Sequence, residues 1–186
     1  MKRLSLVSML FVALLCSACS SSYHRQFIDA PSISTGQRHV AVLPLVNLTA
    51  HPNAGRAVGD ILATEMYGLP GFTFLERTAM QEGIKGRDED LEYAMDNAVA
   101  QKLGRKLGVD TVVYGSVTEY GYKRGIDQSP AVGVNLRMLD VASGAVLWAA
   151  SSSENGGCFW VCDDSLNRLA QEIVGKMVAS MSAALR

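Results

Sequence analysis

The alternation in residues 132–138 constrains the fold more than any other stretch of this chain. Val132, Val134, Leu136 and Met138 are apolar, and Gly133, Asn135 and Arg137 separate them. A period of two residues puts one set on the buried face of a strand and the other toward solvent. Asp140-Val141-Ala142-Ser143-Gly144 follows, a turn that ends on glycine, and residues 145–152 read as the returning strand. Residues 111–122, rich in β-branched and aromatic side chains, supply a long strand just before. A hairpin cannot sit in an all-parallel sheet, so a mixed sheet flanked by helices is expected.

The first half of the chain supplies those helices. Residues 39–45 read as a short buried strand, with Pro44 suited to a strand end, and 46–55 as a turn-rich loop. Ala57, Val58, Ile61, Leu62 and Met66 recur at helical spacing, which predicts a helix over 56–67 stopped by Gly68 and Pro70-Gly71. A second short strand covers 72–75. A helix capped by Thr78 runs to about Ile84, and a charged loop covers 87–92. The next helix, 93–107, has Val99, Leu103 and Leu107 as its core stripe and Gly108 as its left-handed stop. The last helix, capped by Asp163 or Asp164, carries Leu166, Leu169, Ile173, Val174, Met177, Val178 and Met181 on one face. The expected order is β-α-β-α-α-β-β-β-α, an α/β (α+β) fold. Residues 23–38 are polar, broken by Pro31 and Gly36 and without a period; they read as a tether, or an arm lying on a neighbour.

Ahead of the tether stands a secretion signal. Lys2 and Arg3 precede a largely apolar, uncharged stretch, residues 4–15, and Cys16-Ser17-Ala18-Cys19 makes a small-residue exit. About a dozen apolar residues are too few to span a bilayer stably as a helix. The exit reads as a lipobox with Cys19 as the acylated first residue of the mature chain, although Cys16 stands where leucine is usual. By resemblance to enterobacterial sorting signals, Ser20 rather than aspartate after Cys19 favours the outer membrane. The expected division is a signal over 1–18, a lipidated tether over 19–38 and one periplasmic domain over 39–186. The signal holds two of the 17 basic residues and none of the 18 acidic ones, so the mature chain carries a net charge of −3. That balance argues against a nucleic-acid partner, which needs a concentrated basic face.

The residues give no catalytic constellation. His24, His39 and His51 fall in the arm, at a strand edge and in a loop, without metal-ligand spacing. No nucleophile elbow or phosphate-binding glycine loop occurs, so no enzyme, cofactor or metal is expected. Three other features can carry function, each with two readings. Cys158-Phe159-Trp160-Val161-Cys162 lies in a glycine-rich loop where polar residues are usual. Phe159 and Trp160 either fold back on the core or rest at a membrane interface, where indole is favoured. Cys158 and Cys162 are candidates for a disulfide that stiffens the tip, or remain separate thiols. The acidic run Asp88, Glu89, Asp90, Glu92 and Asp96 is either a solvated helix start or a surface for a cationic partner. Glu119, flanked by Tyr120 and Tyr122, and Asp127, in the turn before Pro130, either face a carbohydrate or belong to ordinary strand ends.

Several of these stretches together resemble a known family. Val40-Ala41-Val42-Leu43-Pro44-Leu45-Val46-Asn47, Phe74-Leu75-Glu76-Arg77, Leu107-Gly108-Val109-Asp110, Val113-Tyr114-Gly115-Ser116-Val117-Thr118-Glu119-Tyr120 and the 134–144 hairpin look like the periplasmic domain of CsgG-type outer-membrane lipoproteins. Within that group residues 122–133, Leu147-Trp148-Ala149-Ala150 and the tryptophan-bearing loop before one long helix are similar to the PelC family of Pel exopolysaccharide export. The resemblance implies a non-catalytic homo-oligomeric ring, dodecameric in the family, against the inner face of the outer membrane. Its acidic lumen would guide a cationic polysaccharide toward a β-barrel porin. Asp127 and Glu119 are then the first candidates for that lumen, Asp88 and Asp90 the second, and Phe159 and Trp160 the membrane contacts. Unlike CsgG itself, this chain has inter-strand connections too short to supply strands of about 9–11 residues that cross a bilayer. The competing reading is a monomeric regulator of a peptidoglycan synthase on a long tether. The tether over 20–38 spans roughly 60 Å at most.

Overall fold

A computed structural model describes residues 22–34, 36–85, 96–123, 129–156 and 165–185. In chain order the described elements are β1 (Ser22–Ile28), α1 (Ala30–Ile33), β2 (Arg38–Val42), β3 (Val46–Asn47), α2 (Ala54–Met66), β4 (Phe72–Phe74), α3 (Arg77–Ile84), α4 (Asn97–Leu107), β5 (Thr111–Lys123), β6 (Ser129–Asp140), β7 (Val146–Asn155) and α5 (Leu166–Ala184). Seven strands form one sheet in the order β1-β7-β6-β5-β2-β4, with β3 also paired to β5. The β2, β3 and β4 pairings are parallel, and those of β1, β5, β6 and β7 with one another antiparallel. The mixed α+β architecture expected from the hairpin is borne out.

Strand alternation sorts the core onto two faces. Val113, Val134, Leu136, Met138, Trp148 and Ala150 point to the side covered by α2 and α5, where Val58, Leu62, Ile173, Val174 and Met177 meet them with no exposed surface beyond a per cent or so on most. Val112, Tyr114 and Leu139 point the other way, against Met80 and Ile84 of α3 and Ala100 and Leu103 of α4. Helix α4 ends as its sequence requires: Gly108 has φ 67°, and its N–H donates to the Gly104 and Arg105 carbonyls. Gly144 closes the β6–β7 turn at φ 76°.

Several boundaries differ from expectation for identifiable reasons. The segment read as an aperiodic tether contains strand β1, which pairs antiparallel with β7 from Ser22 opposite Glu154 to Ile28 opposite Trp148. Six of its seven side chains are exposed, so no burial alternation marks it; backbone bonds to β7 define it instead. The loop expected over 46–55 opens with β3. It continues the line of β2 along β5 after an interruption at Leu43-Pro44-Leu45. The Thr78 cap is corrected to Glu76, whose carboxylate accepts from the Thr78 N–H at 3.0 Å. The Asp163 or Asp164 cap is corrected to Ser165, whose hydroxyl accepts from the Arg168 N–H at 3.2 Å. Both are local choices among neighbouring residues of similar capping chemistry.

Arg38, at the start of β2, ties this scaffold together at the end of the sheet opposite the β5–β6 loop. Its guanidinium donates to the Ile33 carbonyl at 3.3 Å, the Thr111 hydroxyl at 3.2 Å and the Asp140 carboxylate at 3.1 Å. Burial works to raise the Asp140 carboxyl, but the Ser143 N–H and hydroxyl and the Arg38 charge outweigh it, so the group is held below its ordinary value. A depressed carboxyl stabilises the fold above its unfolded pKa, and that stability is lost as pH falls through the folded one. Asp140→Asn should therefore cost about 2 kcal/mol near neutral pH. The difference from wild type in thermal melts should shrink as pH falls below about 4, the unfolded carboxylate range.

Candidate functional site

The three long strands end together. Lys123 closes β5, Ser129 opens β6 and pairs with it, and Asn155 of β7 pairs with Ala131 of β6. The Gly156 N–H donates to the Pro130 carbonyl at 2.7 Å, which holds the exit of β7 beside the entry of β6. Residues 124–128 and 157–164, the two loops that the sequence singles out, therefore depart from neighbouring points on one end of the sheet. Ser22, opposite Glu154, begins β1 at that same end.

Packing beneath this end is specific. The Tyr120 ring is 6 % exposed, its hydroxyl donates to Asn167 Oδ1 at 2.6 Å, and His51 meets it edge-on with centroids 5.0 Å apart. Burial pushes the Tyr120 hydroxyl above its ordinary pKa. Of the two readings open for the tyrosines, Tyr120 thus belongs to the core, joining β5 to α5. Tyr122, 51 % exposed, leaves apolar surface at this end of the molecule, and Leu48 is 53 % exposed. The Leu48 N–H donates to the Val117 carbonyl, which places it beside the middle of β5 as β3 runs out. Sequence reasoning missed Leu48, for nothing in a turn-rich loop marks an exposed leucine.

Among the residues flagged for charge, Glu119 lies within the described structure. A register shift between Val117 and Glu119 in the β5–β6 ladder turns its side chain outward. Its carboxylate sits 3.2 Å from the Lys123 ammonium, with the two side chains 40 % and 51 % exposed. Water screens such a pair, so it adds little stability, and its charge is balanced locally. Asp96 caps α4, accepting from the Ala98 N–H at 2.6 Å. Cys19, Asp88, Asp90, Asp127, Cys158, Phe159, Trp160 and Cys162 lie outside the described residues. Among the described residues no group of three or more metal-ligating side chains clusters, and no helix is long and apolar enough to cross a membrane.

Comparisons with known proteins agree on one relationship. The sequence profile of the GNA1162-like lipoproteins matches residues 34–182. Among solved structures, the PelC dodecamer from Paraburkholderia phytofirmans is 25% identical with a TM-score of 0.62, covering 87% of this chain and 98% of that one. A dodecameric variant of that protein in another space group is 25% identical at a TM-score of 0.60, covering 88% and 99%. Lipoprotein GNA1162 from Neisseria meningitidis is 26% identical at a TM-score of 0.55, covering 76% and 98%. No curated protein sequence matches.

Proposed function

Because this chain belongs to the GNA1162-like lipoprotein family, we propose that it is an outer-membrane lipoprotein, acylated at Cys19, that assembles into a periplasmic ring. The ring assists export of a cationic, Pel-type exopolysaccharide toward a partner β-barrel porin during biofilm formation. The dodecameric PelC structures support the ring. A ring repeats each subunit's carboxylates about one axis, so a modest charge per chain becomes a focused field. Many weak contacts then pass a polymer along where one tight site would hold it.

The observation that carries this reading is the pairing of Ser22 with Glu154. Only residues 20 and 21 separate Cys19 from strand β1, and three residue steps span at most about 10 Å. The anchor therefore holds the loop-bearing end of the sheet against the membrane. Tyr122 adds exposed apolar surface there, and in this reading Phe159 and Trp160 supply the membrane contact. A regulator that must reach through the cell wall needs a long tether; in this chain most of that length is spent in the sheet. The short connections over 123–130 and 141–144 favour a polymer path through a separate barrel.

Asp127 belongs to the short loop at this end and is the leading lumen carboxylate. Asp127→Lys should cut the polymer recovered outside the cell several-fold while the thermal melt of the purified protein is unchanged. Polymer yield equal to wild type would remove Asp127 from the path.

A further inference from the structure

The sheet face that carries α3 and α4 is covered over only part of its length. Toward the loop-bearing end it lies open as a shallow trough of about 710 Å³. Its rows follow from the strand register: Arg25, Ser151 and Asn135 lie side by side, and Phe27, Ala149 and Arg137 form the next row. The floor is small and satisfied, with the Ser151 hydroxyl 2.6 Å from Asn135 Oδ1. The walls are different. Phe27 is 57 % exposed, and neither Arg25 nor Arg137, both exposed, has a carboxylate partner among the described residues.

The opposite face of the molecule is the outer surface of α2 and α5. Glu65 stands on α2 at the seam between these helices, its carboxylate about 3.6 Å from where a side chain on Gly175 would begin. It is exposed and has no cationic partner among the described residues. Gly175, Ala179 and Ala183, one helical turn apart along α5, keep the neighbouring surface low.

We propose that the open trough receives the α2–α5 face of the next copy of this chain, with Arg25 and Arg137 meeting its Glu65. The proposal rests on the ring reading and supplies its contact. Among the described residues the cations on one side lack a carboxylate, Arg137 being bonded to the Tyr114 hydroxyl, and Glu65 on the other lacks a cation; such complementary charges fix register and exclude wrong partners. The strand ends face the membrane, so both sheet faces point sideways within the membrane plane. A contact between opposite faces is head-to-tail, and such contacts repeat from copy to copy until the rotation closes a ring. Because cations line it, this trough also lies apart from any path taken by a cationic polymer.

Charge reversal tests the contact. The full-length chain, extracted from its membrane in detergent, is sized by light scattering. Arg25→Glu with Arg137→Glu should reduce the high-mass assembly to single chains, as should Glu65→Arg alone. All three changes in one chain should restore the assembly. Far-ultraviolet circular dichroism and melting within a few degrees of wild type show that each variant is folded. Wild type that sizes as a single chain removes the ring reading itself. A wild-type ring that survives the double reversal overturns this interface and leaves the ring reading standing. Failure of the triple variant to reassemble, when the others dissociate, overturns the pairing with the α2–α5 face.

Discussion

Gly115→Val should lower the melting temperature of this domain by about 10 °C or more. Gly115 sits in the middle of β5 opposite Leu136 of β6. A Cβ there would stand 2.0 Å from the Asn135 carbonyl oxygen, 3.0 Å from its carbon and 3.1 Å from the Leu136 Cα. All three atoms are backbone of the adjacent strand, so no change of rotamer relieves the overlap. The remaining outcome is to pry β5 from β6, and that ladder joins the antiparallel half of the sheet to the parallel half. The expected loss is about 4 kcal/mol or more, a large share of the 5–15 kcal/mol typical of a native domain. Gly121, further along β5, has nothing within 4 Å of the same position. Gly121→Ala should melt within a few degrees of wild type, and a Gly115→Val melt equally close would refute the steric account.

The second large effect concerns the anchor. Inserting about 20 glycine and serine residues after Ser21 should reduce export at least ten-fold without disturbing the fold. Such a linker has a root-mean-square span of roughly 25 Å, so the loop-bearing end leaves the bilayer and its apolar contacts with it. Circular dichroism should be unchanged, because β1 and its register against β7 are retained. Trp160→Ser should speed dissociation of the original chain from lipid vesicles and leave that of the lengthened chain unchanged. Full export from the lengthened chain would show that closeness to the membrane is irrelevant, and would revive the regulator on a long tether.

Much of the fold was legible because burial leaves a rhythm. Val132, Val134, Leu136 and Met138 alternate because their strand has one face under α2 and α5, and the final helix shows its stripe for the same reason. Strand β1 was hidden because its exposed side chains have no such rhythm; it exists by backbone pairing with a partner far away in sequence. Strand β3, two residues long, is too brief for any period. The capping residues were misplaced where several competent side chains stand in a row, as at Asp163, Asp164 and Ser165. The candidate site was legible in its ingredients but not in its arrangement. Only the sheet register reveals that the Asp127 loop, the Trp160 loop and the first residue of β1 issue from one end. Nor could sequence reveal that Glu119 is balanced by Lys123, since that pairing depends on the outward turn at the strand's irregularity.

The placement of β1 also orders events in time. Ser22 is made near the beginning of the chain, while Glu154, its cross-strand neighbour, follows roughly 130 residues later, and a closure of that length carries a conformational cost that only finished partners repay. The sheet must therefore wait for nearly the whole polypeptide before its outermost strand can add. Until then no sheet partner holds the N-terminal strand, and zipping β1 onto β7 brings the finished domain within three residues of position 19.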